Sequence, residues 1–110
     1  MKFTINVGLL NNPNTSNELI SYFKELNGYT LVRYTIESGS YHDLIEPTLV
    51  AVLETDYVLV SKVIADFEQI CSVLTQDCIA ISNDQFDLLV YKINYQGFKD
   101  KFDKDYFLTV

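Results

Sequence analysis

The only histidine of this 110-residue chain is His42, in the segment "ESGSYHDLIEP" of residues 37–47. Ser38, Ser40 and Tyr41 precede it, Asp43 follows, and two carboxylates, Glu37 and Glu46, bracket the stretch. Histidine is the commonest general base because its imidazole titrates near neutral pH. A serine nucleophile would need that ring within hydrogen-bond reach and a carboxylate to orient it. Close neighbours in sequence seldom reach that geometry. His42 is therefore the catalytic candidate, with an exposed histidine in a long hairpin connection as the plainer role. Ligand binding is the third. Gly39 permits close backbone approach, while Ser38, Ser40, Tyr41 and His42 offer hydrogen bonds and stacking on a loop, where binding residues concentrate.

Arg33 is the only arginine. Its guanidinium fork matches phosphate or carboxylate. Together with residues 38–42 it would hold a small anion. The simpler expectation is an exposed strand residue, on one face with Leu31 and Thr35, paired to a cross-strand acid such as Glu54.

Other chemistries find no support. There is no GxGxxG or GxxxxGK[ST] phosphate cradle, no HExxH and no GxSxG elbow. Cys71 and Cys78 with one distant histidine make no zinc pattern and read as buried thiols. No cofactor and no metal are expected, and the balance leans away from an enzyme.

Charge narrows the partners. The net charge is −7, concentrated in residues 34–91, where ten acids meet the single base Lys62. Such a surface repels nucleic-acid phosphate. It suits a basic partner, or serves solubility alone. No apolar run approaches the roughly 20 residues that span a bilayer. The N-terminus lacks the pattern of a secretory signal. A cytoplasmic location is expected.

The elements that must position these residues follow from periodicity. "FTINVGL" alternates as a half-buried strand. Thr15 and Glu18 have capping-box spacing ahead of a helix through residues 17–26, with Gly28 as its C-cap. "YTLVRYTIE" and "TLVAVLE" read as strands on either side of the His42 segment. Val60, Val63, Ile64, Phe67, Ile70, Cys71 and Leu74 form one helical stripe, capped by Thr55 or Asp56. "CIAIS" and "FDLLVYKIN" read as a hairpin about "NDQ".

This order of strand, helix, strand, strand, helix, strand, with an added strand, resembles the ferredoxin-like plan over about residues 3–83. The resemblance implies an α+β sandwich, an antiparallel sheet with two helices on one face. It implies no particular activity. Residues 1–94 are expected as one domain. Residues 95–110 form a tail whose "YFLTV" is a candidate terminal strand and oligomer contact.

The chain as a whole resembles small uncharacterised phage or prophage proteins. That implies a binding protein that sequesters a small ligand, such as a nucleotide signal, or masks a host protein as a host-defence inhibitor in the host cytoplasm. A homo-oligomer is expected, with a small anionic ligand or a basic host protein as partner. The alternatives are a small enzyme using His42 between protomers and an assembly protein.

Overall fold

The computed structural model describes residues 1–41 and 44–93. Along the chain run β1 (Lys2–Gly8), α1 (Ser16–Lys24), β2 (Thr30–Tyr41), β3 (Leu44–Glu54), α2 (Val60–Val73), β4 (Cys78–Ser82) and β5 (Asp87–Tyr91). The strands form one antiparallel sheet in the order β2-β3-β1-β4-β5. The expected α+β class is the one the chain adopts. Each helix links strands that are not sheet neighbours: β1–α1–β2 steps over β3, and β3–α2–β4 steps over β1.

Strand alternation builds the core. Phe3, Ile5 and Val7 of β1 lie opposite Leu53, Ala51 and Leu49 of β3, and all six are buried. Ile79 and Ile81 of β4 extend this layer toward Val90 and Leu88 of β5. Both helices close on that one face. Leu19 and Phe23 of α1 and Val63, Phe67, Ile70 and Cys71 of α2 belong to the same buried cluster. Phe67 is its hub, edge-on to Phe3 at 5.7 Å and Tyr29 at 6.0 Å, and stacked on Phe23 at 6.3 Å. Such offsets suit the ring quadrupoles. The Tyr29 hydroxyl leaves this cluster by donating to Asp66 at 2.6 Å, and Asp66 also accepts from Lys62 at 2.8 Å. Burial and the neighbouring Asp66 carboxylate hold the Tyr29 hydroxyl far above its ordinary titration range.

The helix boundaries show what local signals achieve. Thr15 and Glu18 form the capping box: the Glu18 amide donates to the Thr15 hydroxyl at 3.1 Å, and the Thr15 amide to the Glu18 carboxylate at 3.0 Å. The helix then stops with Glu25 as its C-cap, so Gly28 (φ +88°) is not the cap and serves the turn into β2. For α2, neither Thr55 nor Asp56 is the N-cap. That position falls on Leu59, which makes no side-chain capping bond. Thr55 is buried instead, its hydroxyl donating to the Gly28 carbonyl at 2.8 Å and accepting the Tyr57 amide at 3.2 Å. A tertiary contact has taken the hydroxyl that a local reading assigns to the helix. Cys71 is buried and Cys78 half-buried; both are thiols.

Candidate functional site

The segment around His42 is not a long loop. β2 runs to Tyr41 and β3 starts at Leu44, with Ser38, Gly39, Ser40 and Tyr41 paired to Pro47, Glu46, Ile45 and Leu44. Glu37 and Glu46 thereby sit on adjacent strands, two register positions apart: Glu37 is opposite Thr48 and Glu46 opposite Gly39. The hairpin continues beyond Gly8, the end of β1, whose partner in β3 is Thr48. Only residues 42 and 43 separate the two strands. His42 lies outside the described residues, as do the tail and its "YFLTV".

The other sheet face carries no helix among the described residues. Its floor comes from the alternate positions: Asn6 and Gly8 of β1, Thr48 and Val50 of β3, Ala80 of β4 and Leu89 of β5. At the end where the hairpin overhangs, this floor becomes a cleft of about 490 Å³. One wall is the hairpin, through Glu37, Ser38, Gly39 and Glu46. The other is the α2–β4 connection, through Thr75, Gln76 and Asp77, and residues 10–13 close the end.

Two glycines make this geometry possible. A Cβ on Gly8 would lie 2.2 Å from the Glu46 carboxylate, and one on Gly39 would lie 2.2 Å from the Thr48 hydroxyl. The missing side chain at Gly8 is the notch in which Glu46 rests. There Glu46 accepts the Leu10 amide at 3.1 Å.

The two loops at the cleft end are joined by a reciprocal amide pair. Asn12 donates to Gln76 at 2.8 Å and Gln76 donates to Asn12 at 2.9 Å. Asn12 also donates to the Gly8 carbonyl at 2.7 Å, and Gln76, itself buried, to the Leu74 carbonyl at 3.0 Å. Asn14 adds a bond to the same Leu74 carbonyl at 2.6 Å.

Backbone strain gathers here as well. Asn11 and Thr75, both at φ +55°, are the two non-glycine residues with positive φ among the described residues, and both line the cleft. Thr75 is the stronger outlier, because a β-branched side chain crowds the left-handed region. The end of α2 demands it. The Gln76 amide reaches the Cys71 carbonyl at 2.8 Å and the Thr75 amide the Ser72 carbonyl at 3.3 Å. This is the Schellman pattern, whose left-handed position is normally glycine. Strain of this kind collects at functional sites.

The cleft is chemically one-sided. It presents the carboxylates of Glu37, Glu46 and Asp77, several amides and hydroxyls, and an apolar floor; among the described residues no lysine, arginine or histidine lines it, and Lys92 reaches Asp77 from outside at 3.2 Å.

Of the residues expected to bind, Ser38 and Gly39 line this cleft. Ser40 and Tyr41 stand in β2 by their backbone pairing. Arg33 does not line the cleft. A register shift between Leu31 and Arg33 makes Val32 an extra residue. Leu31 therefore faces Leu53 and packs on the core, whereas Arg33 faces Val52 and Thr35 faces Val50. The shared face expected for Leu31 and Arg33 is broken by this bulge. Nor is Glu54 the partner of Arg33: it lies opposite Thr30 and pairs with Lys2 at 3.6 Å.

Sequence reasoning did not single out the Gly8–Glu46 notch or the Asn12–Gln76 pair. Their members are 38 and 64 residues apart, respectively. The one local hint was Asn12 and Asn14 flanking Pro13 in "NNPN", a turn signal. No known family model, curated protein or solved structure matches this chain.

Proposed function

We propose that this chain is a binding protein whose sheet cleft takes a cationic group, a lysine- or arginine-bearing segment of a basic partner protein. The observation that carries this reading is the lining itself: among the described residues, Glu37 and Glu46 line a concave part of the sheet that bears no helix and no lining cation, while Asp77 on the opposite wall pairs with Lys92 at 3.2 Å. A guanidinium or ammonium entering there replaces water with charge-assisted hydrogen bonds. The apolar floor of Val50, Ala80 and Leu89 accommodates the methylene stem behind the charge. The net charge of −9 over residues 34–91 steers a basic partner toward it. The strained backbone at Thr75 agrees with a wall held in place for something other than stability.

The same lining weighs against the small anion expected from Arg33 and the His42 segment, because an anion would meet like charge. Sequestration of a small cationic or neutral ligand is the second reading. A volume of about 490 Å³ favours it, being the size of many small-molecule sites. Masking of a host protein is the form the first reading takes if the chain is phage-encoded.

The test is titration of isotope-labelled protein with short oligo-arginine and oligo-lysine peptides, and with an oligo-glutamate control, followed by amide shifts. Saturable shifts confined to Gly8, Leu10, Glu46 and residues 75–78, weakened by Glu46→Gln, are expected. Shifts spread evenly over remote acids such as Asp56, Asp84 and Asp87 would reduce the effect to nonspecific charge attraction and sink the proposal. Native mass spectrometry of gently purified protein addresses the second reading, through added non-peptide mass.

A further inference from the structure

β2 is an edge strand, and it is long, at 12 residues. Residues 32–38, "VRYTIES", are exposed without interruption. Val32, Tyr34 and Ile36 are 42%, 47% and 50% exposed, an unusual outlay of apolar surface on a sheet edge. Natural edges are commonly blunted by lysine, proline or a bulge. The bulge at Val32 lies at the very start of the stretch, and residues 33–38 contain neither lysine nor proline. An edge of this kind is a template for another strand.

The side-chain order says which strand fits. Arg33 and Glu37 lie two residues on either side of Thr35, opposite Val52 and Thr48 on the helix-free face. About 13 Å of strand separates them, too far for them to pair with each other. Among the described residues neither takes part in an ion pair. Tyr34 and Ile36 flank Thr35 on the opposite, helix-side face, across from Ala51 and Leu49. A second copy, antiparallel and related by a two-fold axis through Thr35, brings each of these groups its complement. Arg33 meets the partner's Glu37, and Glu37 meets the partner's Arg33. Tyr34 packs on the partner's Ile36, and the reverse. Thr35 meets the partner's Thr35. Charge and shape are thus self-complementary about one residue, as an isologous contact requires.

We infer that the chain forms a two-fold dimer through β2, joining two sheets into one of ten strands. The contact is a single strand pair, at the small end of specific interfaces, so the association is weak and concentration-dependent. It stands apart from the cleft reading, and its readout involves no ligand. It does touch the cleft: the partner's Arg33 lands beside Glu37 at the rim, leaving Glu46 as the carboxylate open to a guest, since Asp77 pairs with Lys92.

Sedimentation equilibrium over a concentration series tests the inference, with circular dichroism to verify that each variant is folded. The wild type is expected to show a monomer–dimer equilibrium. Arg33→Glu alone and Glu37→Arg alone each put like charges opposite one another twice, and each should weaken the dimer about tenfold or more. The double variant Arg33→Glu/Glu37→Arg restores opposite charges in the same register and should recover most of that loss. Thr35→Cys, at the two-fold axis, should give a disulfide dimer under mild oxidation, where Thr30→Cys should not. A monomer at every attainable concentration overturns the inference. So does a dimer indifferent to the single reversals, or one the double variant fails to rescue, since either places the contact elsewhere.

Discussion

The two faces of the sheet come from the same strands, one residue out of step, and they differ in almost every physical respect. On the helix side, Phe3, Ile5, Val7 and their cross-strand partners are sealed under Phe23 and Phe67. On the other side, Asn6, Gly8, Thr48 and Val50 floor a cleft walled by carboxylates and amides. The first face is specified by apolar area, and a neighbour of similar volume could stand in at most positions. The second is specified by individual atoms: a missing Cβ at Gly8, one reciprocal amide bond and one left-handed threonine. Stability resides in the first face, and the second has freedom to serve recognition.

The sharpest way to break this contrast is Phe67→Ala. It should cost about 3–5 kcal/mol, read from the denaturation midpoint, because the hub of the aromatic cluster is lost and a cavity remains. Leu89→Ala on the cleft floor should cost about 1 kcal/mol, since that side chain is only half-buried. Equal losses would erase the distinction between the faces.

Gln76→Ala comes next, at about 2 kcal/mol, because it removes both bonds of the reciprocal pair and the bond from Gln76 to the Leu74 carbonyl. Asn12→Ala combined with it should add little. A double-mutant cycle measures this coupling, and strict additivity would show that the loops are held by something else.

Thr75→Gly runs in the opposite direction. It removes a Cβ from a left-handed position and should stabilise the protein by about 1 kcal/mol, while loosening any selectivity that wall provides. A loss of stability would mean the Thr75 side chain makes a contact worth more than its strain.

The smallest effect lies at the α1 cap. Thr15→Ala should cost about 1 kcal/mol. Bonds from the backbone and hydroxyl of Thr15 hold the Glu18 carboxyl below its ordinary value of 4.5. A lowered value in the folded state means that Glu18 contributes above about pH 4.5 and ceases to do so as pH falls through the lowered value. The stability gap between wild type and Glu18→Gln should therefore be present at neutral pH and close in acid.

Local patterns in this chain carried the α+β class, the order of elements and most of the core. Alternation in "FTINVGL" and the helical stripe from Val60 to Leu74 mark buried faces without reference to any distant residue. The Thr15–Glu18 box is legible for the same reason: three residues of chain connect its two halves. What failed were the choices in which a local option competes with a distant one. Thr55 could cap α2, but Gly28 offers its carbonyl from 27 residues away. Arg33 and Glu54 suit each other in type, yet the strand register sets Arg33 opposite Val52 and Glu54 opposite Thr30. Glu46 was visible as a carboxylate near the histidine, but nothing local says that it rests on Gly8. The sequence by itself determined which residues seek burial and which segments become helix or strand, because periodicity and capping act over a few residues. Only the tertiary structure decided the register, the bulge and the meeting of loops 10–13 and 75–77, because those depend on how strands distant in sequence align. The cleft and the open β2 edge are products of that alignment.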